Sequence, residues 1–129
     1  MVDSLTNYNY IGIKAPRIWE DNYASLTIGR KLLESKYLHK LIREQGGAYG
    51  SSVGLDSEGM LFMSSYRDPN LEKTYQNFFK GVQSLLSDEF SNEELIGAML
   101  RHFSSMDNVW RKDQIGTLKF YSLIEEDDY

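Results

Sequence analysis

The 129-residue sequence contains no cysteine and only two histidines, His39 and His102. The absence of cysteine excludes disulfides, thiolate zinc sites and cysteine nucleophiles. A zinc site on a single helix would need the pattern H-E-x-x-H or H-x-x-E-H, and neither occurs around these histidines. The sequence therefore predicts that this chain binds no metal, and that both histidines have structural or surface roles.

Long apolar runs and an excess of positive charge are missing as well. The apolar runs are a few residues long, far below the roughly 20 that cross a bilayer, so no membrane partner is predicted. The first ten residues show neither the charged nor the apolar region of an export signal. The net charge is −5, and four of the negative charges lie in the acidic segment 125–128. The remainder is nearly neutral and has no basic stripe, so nucleic acid is not expected as a partner.

Phosphate-binding loops are also absent. The segment GGAYGSSVG matches neither G-x-G-x-x-G nor G-x-x-x-x-G-K-[ST]. Its predicted position, between a helix and a following strand, is the reverse of a loop that presents a phosphate to a helix N-terminus. Nucleotide binding is therefore not expected.

The sequence does contain a regular series of strand and helix patterns. Residues 7–15 are rich in aromatic and β-branched side chains and predict a strand. Helical spacing begins at Asp21, with Asp21 or Asn22 as the candidate cap, and a second helical pattern stops at the double glycine of residues 46–47. Two apolar segments joined by DSEG follow, which predicts a β-hairpin.

Helices are predicted in the second half of the chain. The helix after Asn70 has an apolar stripe that comprises Leu71, Tyr75, Phe78, Phe79, Val82, Leu85 and Leu86. The sequence SNEE has the form of a capping box and starts a helix from about Asn92 to Met106. The residues of this helix that are expected to be buried are Leu95, Met99, Phe103 and Met106. A last short helix is expected from about Asp113 to Ile124.

This order of elements predicts one α+β domain over residues 1–129, with an acidic tail at 125–129. A hairpin among helices favours an antiparallel sheet with helices packed on one face.

The segment LIREQGGAYG places Arg43 and Tyr49 on either side of Gly46 and Gly47. One interpretation is structural: a cation at the negative end of a helix, and an ordinary strand aromatic. The other is functional: the glycines allow a sharp turn, and the guanidinium and phenol converge on one surface. Such a pair could donate hydrogen bonds to carbonyl oxygens of an extended peptide, or to an oxyanion. The residue pattern alone leaves both interpretations open.

Two motifs at a matching separation resemble a known family. The segment IREQGGAYG, followed by a hairpin and then SSYRDPN, is similar to the C-terminal half of the M16 (pitrilysin or insulinase-like) zinc metallopeptidases, specifically the presequence-protease branch. The similarity covers roughly residues 7–110. It implies a LuxS-like metallohydrolase fold and a full-length protein of four such α+β domains, which close in two halves around a chamber.

The resemblance also implies roles for individual residues. In this family the zinc ligands and the catalytic glutamate belong to the first domain. The last domain carries an arginine and a tyrosine that hold the substrate backbone near the metal and help to stabilise the tetrahedral intermediate. Arg43 and Tyr49 match these two and are expected to be catalytic and substrate-binding, with Gly46 and Gly47 beside the substrate. The segment Tyr66 to Pro69 is expected to fix the exit of the hairpin.

The resemblance implies a substrate-binding domain of a zinc metalloendopeptidase that degrades unstructured peptides. The expected partners are extended peptides and an N-terminal half that holds the zinc, and the isolated chain is expected to be inactive. No segment corresponds to the zinc-binding domain, so two alternatives stay open: a fragment of a peptidase, or a complete, degenerate and noncatalytic member that docks a partner subunit. The expected location is the cytoplasm of a bacterium or the organellar matrix of a eukaryote.

Overall fold

The computed structural model describes residues 5–106, 114–117, 119–120 and 123. The elements of residues 5–106 are β1 (Asn7–Lys14), α1 (Tyr23–Leu32), α2 (Leu33–Glu44), β2 (Gly50–Leu55), β3 (Met60–Asp68), α3 (Glu72–Ser87) and α4 (Asn92–Met106). The predicted order of these strands and helices is confirmed. The last predicted helix, from about Asp113 to Ile124, lies in part outside the described residues, and the acidic tail lies wholly outside them.

The strands form an antiparallel sheet in the order β1-β3-β2, so β3 is the central strand. Met63 of β3 pairs with Ile11 on one side and Val53 on the other. The predicted hairpin between β2 and β3 is closed by two hydrogen bonds. The Asp56 N–H donates to the Met60 carbonyl at 3.0 Å, and the Met60 N–H donates to Asp56 Oδ1 at 2.8 Å.

The two faces of the sheet differ, because successive strand residues point to opposite sides. The inner face carries Asn9, Val53, Leu61, Met63 and Ser65, which are all buried. The outer face carries Tyr8, Tyr10, Ser52, Phe62, Ser64 and Tyr66. The core lies between the inner face and the helices α2 and α3, and Leu33, Leu38, Ile42 and Phe78 fill it. The predicted α+β class, with helices packed on one face, is confirmed.

The first two predicted helices run directly into one another. Leu33 has helical dihedral angles, and the backbone over Leu33–Glu44 follows a π-helical pattern. Asn22 does stand at the N-cap of α1, but the expected side-chain cap is wrong: its backbone is left-handed, with φ of 73°, and its side chain makes no cap hydrogen bond. The start of α1 is held by backbone bonds instead, with the Leu26 N–H donating to the Asn22 carbonyl at 2.9 Å. None of the described helices combines the length and the apolar composition needed to span a bilayer.

The apolar stripes of the last two helices were only partly predicted. In α3 the buried residues are Thr74, Phe78 and Gly81, while three residues of the predicted stripe are exposed: Leu71, just before the helix, Phe79 and Leu86. In α4 the expected burial is wrong: Leu95, Met99, Phe103 and Met106 are all exposed. The buried residue of α4 is Ala98, because this helix approaches α1 through a small side chain and leaves its large ones outside.

The capping box that begins α4 is confirmed. The Glu94 N–H donates to Ser91 Oγ at 3.2 Å, and the Ser91 N–H donates to Glu94 Oε2 at 2.9 Å. Lys36 Nζ lies 2.7 Å from Glu94 Oε1. This contact, together with the cap, lowers the pKa of the Glu94 carboxyl and joins α4 to α2.

Candidate functional site

The double glycine forms the sharp turn between α2 and β2. The Gly47 N–H donates to the Arg43 carbonyl at 3.0 Å, and the Ala48 N–H donates to the Ile42 carbonyl at 3.1 Å. Gly47 has φ of +80°, a conformation that residues with a Cβ atom rarely adopt. A Cβ on Gly46 would lie 2.5 Å from the Ile42 carbonyl oxygen. Each glycine is therefore required by the backbone itself.

Tyr49 leaves this turn with a fixed backbone and an exposed ring. Its N–H donates to the Tyr66 carbonyl at 3.1 Å, with a longer contact of 3.4 Å to the Arg67 carbonyl. Its ring stands edge-on to the Tyr66 ring at 5.5 Å, yet 67% of the residue surface is exposed. The position of Tyr49 is thus set by the sheet, while its phenol stays open to a ligand.

Arg43 lies on the last turn of α2, and its side chain is exposed. Its Nη1 atom lies 3.3 Å from His39 Nε2, and His39 Nδ1 lies 3.3 Å from Glu44 Oε1. Within the described residues, no hydrogen bond, ion pair or ring contact joins the Arg43 and Tyr49 side chains. The two residues share the glycine turn, and the convergence of their polar groups on a substrate stays a prediction.

The cation that does lie beside Tyr49 is Arg67, which the sequence interpretation assigned only to the hairpin exit. Its Cζ atom is 5.9 Å from the Tyr49 ring centroid and 5.5 Å from that of Tyr66. The signal that could have found it is strand register: Gly50 pairs with Tyr66, which brings their neighbours Tyr49 and Arg67 together.

The rings of Tyr49 and Tyr66 border a cavity of about 260 Å³. Its other lining residues are Gly50, Ser51, Ser52 and Ser64. Ser52 Oγ and Ser64 Oγ lie 2.8 Å apart and hydrogen-bond to each other. The cavity is open to solvent and smaller than the roughly 300–1,000 Å³ of drug-sized ligand sites, so it can take a small group such as a side chain.

A buried polar network holds the turn from behind. Asp68 is completely buried, and its carboxylate accepts hydrogen bonds from the Thr74 hydroxyl at 2.5 Å, the Asn70 N–H at 2.8 Å and Asn9 Nδ2 at 3.2 Å. Asn70 Nδ2 donates in turn to the Gly46 carbonyl at 2.6 Å. The network therefore ties the glycine turn to β1, β3 and α3.

The same contacts govern the charge of Asp68. Burial alone would raise the pKa of its carboxyl, but hydrogen bonds from Thr74, Ser65, Asn70 and Asn9 together lower that pKa below its usual value. Asp68 is thus ionised and saturated with donors, which fits the structural role expected for it.

Metal ligands do not come together in the described part of the chain, where no group of three or more His, Asp or Glu side chains is close enough to hold an ion. His39 is engaged with Arg43 and Glu44. Burial, with the nearby charges of Arg30 and Lys31, lowers the pKa of His102. The described residues therefore do not fit a zinc site.

Comparison with known proteins decides the family. The family model for the PreP C-terminal domain matches residues 6–128. The chain belongs to this family. It is similar to proteins named mitochondrial presequence protease: 39% identical to that of Mus musculus and 38% to that of Xenopus laevis, each over 78% of this chain, and 35% to that of Yarrowia lipolytica over 77%. The resemblance to the presequence-protease branch of the M16 peptidases is thereby confirmed. The chain spans about 10% of the length of each of these relatives.

Proposed function

We propose that this PreP C-terminal domain binds substrate in a zinc endopeptidase that degrades unstructured peptides, and that Arg43 and Tyr49 are its contribution to the active site. One observation carries this proposal: the Tyr49 backbone is fixed to β3 while 67% of the residue stays exposed, directly beyond the glycine turn that begins at Arg43. Membership of the family and the names of the relatives support it.

In this proposal the two side chains act as hydrogen-bond donors to an extended peptide. The Tyr49 hydroxyl donates to the scissile carbonyl oxygen, where negative charge develops during hydrolysis. The Arg43 guanidinium donates to other main-chain or C-terminal oxygens, because its fork matches a carboxylate or a pair of carbonyls. Zinc belongs to the N-terminal half of the full-length protein, and the isolated domain is inactive.

The fixed backbone gives Tyr49 a catalytic advantage in this arrangement. A donor whose position is already set loses no reorganisation energy when charge develops on the substrate oxygen. Gly47, the anchor from Asn70 to Gly46 and the bond to Tyr66 all restrain the segment before a peptide arrives. The hydroxyl itself carries the effect, so its removal should change turnover without changing the fold.

The test is peptide hydrolysis by the assembled peptidase, with this domain and the zinc-bearing half together. Tyr49→Phe should lower kcat about 100-fold, the size of effect seen when one oxyanion donor is lost. Arg43→Ala should mainly raise KM. Tyr10→Phe is the matched control, because Tyr10 is an exposed tyrosine on the outer face that does not adjoin the glycine turn. All three variants should unfold at the temperature of the wild type.

A Tyr49→Phe variant as active as Tyr10→Phe would refute the catalytic assignment. Equal losses of folding and activity would return Tyr49 to the structural interpretation.

A second candidate function is a noncatalytic module that docks a partner subunit. The exposed apolar side chains of α4 favour it, since a cluster of this kind often marks a protein interface. They are Leu95, Ile96, Met99, Leu100, Phe103 and Met106. Met99→Glu should abolish association with the zinc-bearing half and leave the fold intact. If peptide hydrolysis never requires Arg43 or Tyr49 but association requires Met99, the docking function is the correct one.

The relatives named above are called mitochondrial, which supports an organellar matrix as the location of this protein in a eukaryote. A bacterial cytoplasm stays the prediction for a bacterial source. Subcellular fractionation of the source cells, followed by detection of the protein, distinguishes the two.

A further inference from the structure

Arg67 has a backbone conformation that is unfavourable for a residue with a Cβ atom. Its φ is 47°, in the left-handed region, where a residue other than glycine is strained. Among the described residues, Asn22 is the other non-glycine residue with positive φ. The neighbours of Arg67 hold it there: Tyr66 is paired with Gly50, and Asp68 is locked in the buried network. Strained residues that are held in place by their neighbours are frequent at ligand-binding positions.

This conformation places a guanidinium over two aromatic rings. The Tyr49 and Tyr66 rings lie within 6 Å of the Arg67 Cζ atom, at the distance of a cation–π contact. A cation–π contact leaves the N–H groups that point away from the rings able to donate hydrogen bonds. Within the described residues, the Arg67 side chain donates no hydrogen bond and forms no salt bridge. Among these residues nothing occupies its donors, which can therefore bind a ligand.

The surroundings favour an anion with an apolar stem. Tyr49 and Tyr66, whose rings lie beside Arg67, also line the cavity of about 260 Å³. None of the described residues that line this cavity is acidic, and the Ser52 and Ser64 hydroxyls hydrogen-bond to each other. A methylene stem can contact the rings, and a carboxylate can accept two parallel hydrogen bonds from the guanidinium.

We propose that Arg67 is a substrate-binding residue, and that its guanidinium, held within 6 Å of the Tyr49 and Tyr66 rings, binds a carboxylate of the extended peptide. The carboxylate belongs to an acidic side chain or to the peptide C-terminus. This assignment rests on the proposed peptidase function and adds a second cation beside Tyr49. Arg43 lies on the last turn of α2, where its guanidinium contacts His39, whereas Arg67 lies on β3 beside the Tyr49 ring.

The decisive variant is Arg67→Gly, which removes the guanidinium and relieves the backbone at the same time. Because glycine adopts positive φ readily, this variant should be at least as stable as the wild type. Asn22→Gly is the matched control: it relieves a left-handed residue at the start of α1, where no contact with the candidate site exists among the described residues. Arg67→Lys keeps the charge and removes the planar fork.

The measurement is kcat and KM of the assembled peptidase on three versions of one peptide. The first has a single glutamate and a free C-terminus, the second has glutamine in place of glutamate, and the third has the glutamate and an amidated C-terminus. With the first peptide, Arg67→Gly should raise KM about 10-fold or more, since a hydrogen-bonded charge pair is lost. Arg67→Lys should give a smaller increase, and Asn22→Gly none.

The modified peptides identify the source of the carboxylate. Arg67→Gly should have no effect on whichever peptide lacks the carboxylate that Arg67 binds. An equal KM for the variant and the wild type on all three peptides would overturn the proposal. A loss of stability in Arg67→Gly would do the same, because it would show that the side chain serves the fold.

A direct binding measurement separates this proposal from the peptidase function. The NMR signal of the Arg67 side-chain Nε–H in this chain should shift on titration with the glutamate peptide, and shift less with the version that lacks the bound carboxylate. If Tyr49→Phe leaves hydrolysis unchanged but this selective shift occurs, the catalytic assignment fails and the carboxylate site stands. If Tyr49→Phe lowers kcat as expected and no shift occurs, the catalytic assignment stands and the carboxylate site fails.

Discussion

Met63 on the inner face of β3 is completely buried, whereas Tyr10, on the outer face of the adjacent β1, keeps 59% of its surface exposed. The inner face meets α2 and α3 and contains the Asp68 network as well as the apolar core. The outer face carries aromatic rings that touch mainly one another, such as Tyr8 on Tyr66 at 5.2 Å and Tyr10 on Phe62 at 5.7 Å. The inner face therefore contributes most of the stability, and the outer face presents the exposed groups that can bind a ligand.

The site lies where these two faces meet. Its backbone is anchored from the inner side, through Asn70 and Gly46, and its side chains Tyr49 and Arg67 open to the outer side. A rigid support beneath exposed donors is what a preorganised binding site requires. This difference in stability between the two faces can be tested by matched substitutions, one on the inner face and one on the outer face of the sheet.

The largest contrast is expected between two methionines of the same strand. Met63→Ala removes a fully buried side chain from the inner face and should lower the free energy of unfolding by about 2–5 kcal/mol. Met60→Ala removes a 41% exposed side chain from the outer face and should cost less than about 1 kcal/mol. Urea denaturation of both variants measures the difference. Similar losses would show that the outer face is also part of the core.

A smaller effect is expected for Asp68→Asn, of about 1–3 kcal/mol, because buried donors lose a charged acceptor. The pKa of Asp68 is lowered in the folded state, so its contribution to stability is present above its unfolded pKa of about 3.9 and is lost as the pH falls through the lower folded pKa. The variant should therefore be less stable than the wild type at pH 7, and the gap should narrow as the pH falls below about 4.

The control for Asp68 is Asp56→Asn in the exposed hairpin turn, where the carboxylate accepts one backbone bond. Its effect should be well below that of Asp68→Asn at pH 7. Thermal unfolding between pH 2 and pH 7 checks both statements. A gap between Asp68→Asn and the wild type that stays constant across this range would contradict the ionised, buried carboxylate.

The smallest of these effects concerns the turn itself. Gly47→Ala puts a Cβ on a residue with φ of +80° and should cost about 1–2 kcal/mol. Gly50→Ala, three residues on, should be close to neutral, since a Cβ there has nothing within 4 Å. Differential scanning calorimetry of the two variants gives the comparison. Equal melting temperatures would mean that the turn does not depend on left-handed geometry.

Much of the fold was predicted from local patterns. The DSEG hairpin, the capping box at Ser91 and the helix stop at the double glycine each depend on a few adjacent residues, and the structure contains all three. The burial of α4 was not predicted correctly. Its apolar stripe indicates which side chains share a face, but only the packing of Ala98 against α1 determines which face is covered.

The candidate site divides in the same way. The motif around Arg43 and Tyr49 and its resemblance to the presequence-protease branch could be found from sequence, because they lie within one short segment. Arg67 was missed, because its approach to Tyr49 depends on the pairing of β2 with β3 and on a left-handed residue held by its neighbours, which lie outside that segment.

The sequence by itself determined the order of the helices and strands in residues 7–106, why Gly46 and Gly47 end α2, and which family the chain resembles. These depend on spacing, on turn residues and on short motifs, which are local properties. Only the tertiary structure decided that Asp68 is buried and saturated with donors, that the outer face keeps its tyrosines exposed, and that Arg67 lies beside the Tyr49 ring. The reason is that burial and ring contacts join residues far apart in the chain, and only the pairing of strands and the packing of helices bring those residues together.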